Sequence, residues 1–231
     1  MRIPVRREPT PAAAAYAATP HPALSAPWHS APWCVVDLEL SGLDPRRHEI
    51  VSFAALPIEG GRVQLALARS GLVRPSRPLS DSSVRVHGIR DADLRDAPPL
   101  KDALEPLLEA MAGRTLVCHV ARIERAFLGR ALREMGVRLR RPTADTSVVG
   151  RLWLAERDGF APAEPSLEEL ASTLGLPSHS RHDALGDALT TAQVFIAAAT
   201  HLDALAPMTV RGLTHAHRRL KAVLSYPKRG R

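Results

Sequence analysis

The order of the elements constrains this chain most: three strand-length apolar runs stand in succession, and only then do helix and strand patterns alternate. The first run is Cys34-Val35-Val36-Asp37-Leu38-Glu39, ended by Ser41-Gly42. Residues 50–58 form a second apolar run, and Glu59-Gly60-Gly61 behind it reads as a hairpin turn, which sets a third strand over residues 63–69 antiparallel to the second. After a long connection over residues 70–96, Pro98-Pro99 introduces a helix over 100–111, with a kink expected at Pro106 and a stop at Gly113. Thr115-Leu116-Val117-Cys118 is a short buried strand, and a helix over 123–135 follows it with Gly136 as its C-terminal cap. Residues 143–149 read as a strand end or turn. Ser166-Leu167-Glu168-Glu169 is a capping box opening a short helix that stops at Gly175, and residues 184–202 carry a long apolar-faced helix. The sequence predicts an α/β fold: three antiparallel strands, then parallel strands, in one mixed sheet flanked by helices.

Charge divides the chain into three parts. The net +7 is concentrated at the ends. Arg211, Arg218, Arg219, Lys221, Lys228, Arg229 and Arg231 lie in residues 204–231 without a single acid, which leaves residues 37–203 slightly acidic. Residues 1–31 are Ala/Pro-rich and aperiodic, and Pro9, Pro11, Pro20 and Pro22 interrupt any apolar segment an export signal would need. The expected organisation is a disordered tail over 1–31, a folded domain over 32–203, and a basic C-terminal tail over 204–231 suited to a polyanion such as nucleic acid, or to solubility alone. No apolar stretch approaches the roughly 18 residues of a membrane span. Cys34 and Cys118 each end an apolar run and read as buried thiols, so a reducing cytoplasm is the simpler setting.

Three segments carry chemistry. Asp37 and Glu39, at i and i+2 on a strand, point to one face, where two carboxylates beside an apolar run repel each other unless a divalent cation joins them. Read alone, the pair also fits an exposed edge strand with solvated acids. In His182-Asp183-Ala184-Leu185-Gly186-Asp187-Ala188, Asp187 lies near the start of the last long helix and can turn toward the sheet, while His182 precedes that helix and can take a proton from water near neutral pH. The bland alternative is that Asp183 or Asp187 complements the helix dipole. Glu124, about one turn into the helix after His119, is by itself ordinary dipole compensation.

The order of these elements resembles the DEDDh 3′→5′ exonuclease family, which includes the epsilon proofreading subunit of DNA polymerase III. The family's Asp-x-Glu motif appears as Asp37-Leu38-Glu39, followed by Leu40-Ser41-Gly42, and its His-x-Ala-x-x-Asp-Ala motif as His182, Ala184, Asp187 and Ala188. Val86-His87-Gly88-Ile89 and Asp145-Thr146 are similar to further family elements, and the likeness runs from about residue 33 to 200. The second motif departs from the family's His-Asn-Ala-x-Phe-Asp: after His119, Val120 stands for the Asn, Ile123 for the Phe and Glu124 for the Asp, and Leu40 occupies a position where Thr is common.

The resemblance implies a ribonuclease H-like fold and phosphodiester hydrolysis at a 3′ end with two Mg²⁺ or Mn²⁺ ions. Asp37, Glu39 and Asp187 would be the metal ligands, His182 the base and Glu124 an acid orienting water. Leu40, Ser41, His87 and His119 would contact substrate. It implies single-stranded DNA ends as substrate, with RNA the alternative, and a polymerase as a partner. Two other readings stay open: an exonuclease-fold module that binds nucleic acid or polymerase without efficient catalysis, favoured by the altered second motif, and a basic DNA-binding protein.

Overall fold

Alternation along the first strand, β1 (Trp33–Leu40), builds the protein. Trp33 and Val35 face one side of the sheet and Cys34, Val36 and Leu38 the other, and both sets are buried in separate apolar clusters. The computed structural model describes residues 9–177, 179 and 182–225. β1 pairs antiparallel with β2 (Ile50–Glu59), and β2 turns through Gly60 and Gly61, both at positive φ, into β3 (Arg62–Val63). The third strand is shorter than the expected run over 63–69. A 3-10 turn at Leu65–Leu67 interrupts it, and pairing with β2 resumes at β4 (Arg69–Leu72).

The connection after β4 contains two short helices, α2 (Asp81–His87) and α3 (Asp91–Leu94). The expected helix over 100–111 is two pieces, α4 (Leu100–Ala103) and α5 (Glu105–Met111), because Pro106 has no N–H to continue the first helix and instead sits in the opening turn of the second. β5 (Thr115–Cys118) and β6 (Thr143–Asp145) add in parallel, giving the order β3-β2-β1-β5-β6 with β4 also on β2. The mixed sheet is therefore the one the sequence predicts, antiparallel on one side of β1 and parallel on the other.

Helix α6 (Ala121–Glu134) joins β5 to β6 and packs Phe127, Leu128 and Leu132 on the Cys34/Val36/Leu38 face, with α5 beside it. The opposite face is covered by α7 (Thr146–Asp158) and the long α9 (Ala184–Leu205), with α8 (Leu167–Thr173) between them in sequence, opened by the Ser166/Glu169 capping box. The residues read as a strand end or turn over 143–149 are three residues of strand and then the start of α7: Asp145 caps that helix by accepting from Ser147 N at 3.0 Å.

Both expected tails are ordered where the structure describes them. Thr10 caps helix α1 (Pro11–Ala18), whose Ala12, Ala13 and Tyr16 are buried with the α5 and α6 side chains. The segment that follows is stitched to the other end of the chain: Trp28 N donates to Met208 O (3.0 Å), Val210 N to Ala26 O (3.0 Å) and Arg211 N to Leu24 O (2.8 Å). Beyond that stitch, α10 (Val210–Thr214) and α11 (Ala216–Ser225) bury Val210, Leu213, Ala216 and Leu220 in the α7/α9 cluster, and Arg219 pairs with Glu156 of α7 at 2.7 Å. Composition concealed both: Ala-rich and basic stretches look solvated until spaced apolar positions find a partner surface. The rest of the two expected tails, residues 1–8 and 226–231, lies outside the described residues. Among the described residues no helix is long and apolar enough to cross a membrane.

Candidate active site

Period-two alternation carries β1 past its last core residues and turns acids onto the face that α9 covers. Asp37 and Glu39 follow Trp33 and Val35 on that face, and a bulge between Glu39 and Leu40 ends the regular ladder with β2. Helix α9 starts opposite them. Asp183 caps it by accepting from Gly186 N (3.1 Å), which places Asp187 in the first turn, directed at the strand. Carboxylate oxygens of Asp37, Glu39 and Asp187 all lie within 4.8 Å of one another.

The cost of this gathering appears in the acidities. Burial, then the charges of Asp187, Glu39 and Asp183, hold the Asp37 carboxyl well above its usual range. Burial together with Asp187 and Asp183 pushes Glu39 up to about 7. Asp187 is raised as well, chiefly by burial, although the His182 amide donates to its Oδ2 at 2.9 Å and opposes the shift. Among the described residues no Lys or Arg forms an ion pair with any of the three.

Glu124 approaches Asp37 and Glu39 from another element, helix α6. It sits one turn into α6, is 7 % exposed, and leaves its buried Oε2 without a hydrogen-bond partner. Burial, followed by the Asp37 and Glu39 charges, holds its carboxyl well above the glutamate range. Three mutually repelling carboxylates, with no cation of the protein to balance them among the described residues, are the donor set of a hard divalent cation, and Asp37, Glu39 and Asp187 fit one.

The remaining residues singled out in the sequence fall in different surroundings. His182 is exposed, sits at φ 55° just before α9, and is tied to Asp187 through its own amide. His87 ends α2 with a buried ring. Its Nδ1 accepts from Ile89 N (3.1 Å), its Nε2 is unpartnered, and burial and then the His182 charge lower its basicity. Leu40 ends β1, and Ser41 closes the following loop by accepting from Glu49 N at 2.9 Å through its hydroxyl, which keeps a hydrogen to donate. His119 lies away from the three-carboxylate group, with its Nδ1 3.0 Å from Thr146 Oγ1 and its basicity lowered by burial.

Two features escaped the sequence reading. Asp145 anchors both helices at this end of the sheet: besides capping α7 it accepts from Val120 N (3.1 Å) and Ala121 N (2.9 Å) at the start of α6. Its place at the end of a short strand, just ahead of a Thr-Ser pair, is the usual signal of an N-cap. Val120 adopts φ 53°, a left-handed conformation unfavourable to a β-branched residue and comfortable for the Asn that the related motif carries.

Comparison with known proteins follows this geometry. The sequence model of the exonuclease family (RNase_T) matches residues 34–195. The DNA polymerase III subunit epsilon-like protein of Rhodobacter capsulatus is 33% identical over 183 residues, covering 78% of this chain and 24% of that protein. The DNA polymerase III subunit epsilon of Aquifex aeolicus is 29% identical over 163 residues, covering 70% of this chain and 77% of that protein. The chain thus spans about a quarter of the Rhodobacter relative, and 12% of the PolC-type DNA polymerase III of Thermotoga maritima, to which it is 32% identical. In fold it is similar to Exonuclease X in complex with 5′ overhanging duplex DNA, with a TM-score of 0.61 at 22% identity, covering 80% of this chain and 98% of that one. The nuclease domain of 3′hExo, a DEDDh family member bound to rAMP, gives a TM-score of 0.60 at 16% identity with the same coverage.

Proposed function

Because this chain belongs to the exonuclease family, we propose that it removes nucleotides from the 3′ end of DNA by metal-dependent phosphodiester hydrolysis. The observation that carries this reading is the gathering of Asp37, Glu39 and Asp187 within 4.8 Å, with the buried Glu124 and its unpartnered Oε2 near Asp37 and Glu39.

Each side chain has a role its position supports. Asp37, Glu39 and Asp187 would hold Mg²⁺ or Mn²⁺. When bound, two such ions clamp the attacking and leaving oxygens of an in-line displacement. Glu124, buried and facing Asp37 and Glu39, orients water on the inner side of the cluster. His182 accepts a proton from the attacking water; it is exposed and tied to Asp187, so its imidazole meets both solvent and substrate. Leu40, Ser41, His87 and His119 line the approach of the substrate, with the spare hydrogen of Ser41 available to its backbone.

The names of the relatives favour DNA over RNA and a replicative polymerase as partner. The buried free thiols of Cys34 and Cys118 suit the reducing cytoplasm. Single-stranded DNA and RNA labelled at the 3′ or the 5′ end, digested with Mg²⁺, Mn²⁺ or EDTA, test the proposal. The expected result is stepwise loss from the 3′ end of DNA in either metal and none in EDTA. Wild-type cleavage by the Asp187→Ala variant would overturn the assignment.

A further inference from the structure

The outward side of α6 carries a groove that the acid cluster does not use. It is an open cavity of about 420 Å³ lined by Pro45, Arg46, Arg125, Ala126, Arg130 and Arg133. Ala126 keeps the helix side low between the arginines. One wall is the loop that leaves β1. That loop is folded tightly at Gly42, where a Cβ would lie 2.6 Å from the His48 ring, and Arg130 fastens it by donating to Pro45 O (2.6 Å) and His48 O (3.3 Å).

The charges in this groove are left largely unbalanced. Among the described residues Arg130 alone of the four has a carboxylate, Glu134 at 3.1 Å. Arg125 is held by neutral acceptors, Arg141 O at 2.9 Å and Thr143 Oγ1 at 2.5 Å. Arg46 and Arg133 are exposed, and among the described residues neither has a carboxylate within ion-pair distance. Two guanidinium groups are therefore fixed in place and two are free to close on an anion.

Position relates the groove to the acid cluster at both walls. Arg46 lies in the loop that follows Glu39, and Arg125 to Arg133 continue the helix that carries Glu124. At 1.5 Å per residue the arginines from 125 to 133 span about 12 Å.

We propose that this groove binds the phosphate backbone of the nucleic-acid strand whose 3′ end enters the acid cluster, a few nucleotides upstream of the scissile bond. The proposal rests on the exonuclease reading above. Guanidinium forks suit phosphate oxygens, and a groove lined by arginine, alanine and proline gives sequence-independent grip.

The Arg46→Ala/Arg133→Ala double variant tests it. Both side chains are exposed and, among the described residues, make no hydrogen bond or ion pair, so the fold keeps its contacts. Binding of fluorescein-labelled (dT)12 is measured by anisotropy in EDTA at 50 and 200 mM NaCl, for wild type and variant. Single strands release about 0.7 counterion per phosphate contact, so losing two contacts flattens the salt slope by about 1.4, about a 7-fold smaller loss of affinity between the two salts. In Mg²⁺, kcat/KM on (dT)12 falls in the variant, while the nitrophenyl ester of dTMP, too short to reach the groove, is hydrolysed at the wild-type rate. Equal affinity and equal salt slope for the two proteins overturn the proposal and leave the groove to another partner, such as an acidic protein surface. If the double variant loses affinity but the wild type hydrolyses neither substrate, the groove stands and the exonuclease reading falls.

Discussion

Without metal, the acid cluster should weaken the protein as pH rises, and metal should reverse this only above neutrality. Glu39 has its carboxyl displaced from its ordinary 4.5 to about 7 and is only 7 % exposed, so solvent screens little of the effect. At about 1.4 kcal/mol per pH unit, the displacement corresponds to about 3 kcal/mol. Its sign follows from which form the fold disfavours. The folded state holds its proton where the unfolded chain has released it, so this stability is fully present below pH 4.5 and is lost as pH rises through about 7. Asp37, Asp187 and Glu124 are raised too and act in the same direction. A divalent ion needs the ionised carboxylates, so Mg²⁺ stabilises at pH 8 and has little effect at pH 5. The assay is thermal unfolding of wild type and Glu39→Gln, in EDTA and in Mg²⁺, at pH 5 and 8. For a domain of this size about 3 kcal/mol is worth roughly 6–12 °C in Tm, so in EDTA Glu39→Gln should gain about that much over wild type on going from pH 5 to 8. Parallel pH dependence of the two proteins in EDTA, or equal Mg²⁺ stabilisation at both pH values, would refute the reasoning.

Three further outcomes are expected. Glu124→Gln should cut turnover strongly at saturating Mg²⁺ while stabilising the metal-free protein, because it removes a buried charge facing Asp37 and Glu39; Glu124→Asp should keep measurable activity, and unchanged turnover in the Gln variant would reduce Glu124 to a helix-start acid. His182→Ala should lower turnover roughly 10²–10⁴-fold, the range of a general base, with an unaltered rate in metal-replete buffer ruling that role out. Val120→Asn should stabilise by about 1 kcal/mol, the scale of left-handed strain in a residue with a Cβ, and a fall in urea midpoint would mean that Val120 packing outweighs its φ of 53°.

Much of the sheet was legible because its signals are local. The apolar runs of β1 and β2, the Gly60-Gly61 turn and the Ser166/Glu169 capping box each fix a conformation within a few residues. Strand period puts Asp37 and Glu39 on one face, but Asp187 joined them as a set only through the resemblance of the motifs to the exonuclease family. What escaped depends on contacts distant in sequence. Thr10-Pro11 is a sound helix start, yet α1 is held by α5 and α6, about a hundred residues away, and Ala-rich composition gives no hint of that partner. Val210, Leu213, Ala216 and Leu220 recur at helical spacing, but the surrounding cations read as a solvated tail until α7 is present to cover them. The direction of the Glu124 carboxylate is a tertiary fact too: an acid in the first turn of a helix looks the same in sequence whether it faces water or Asp37.

The pleat of β1 also sets which lineages of this protein can persist. Trp33 and Val35 seal the α9 side of the core, and Asp37 and Glu39 continue on that side. One residue gained or lost between Val35 and Asp37 would swing both acids toward Leu128 and the apolar interior while turning core residues outward. Folding and the placing of the acid cluster therefore share a single reading frame along eight residues. Length variation is tolerable in the loops around this strand and fatal within it, so descendants can diversify their rims, grooves and appended domains freely while β1 stays constant in length.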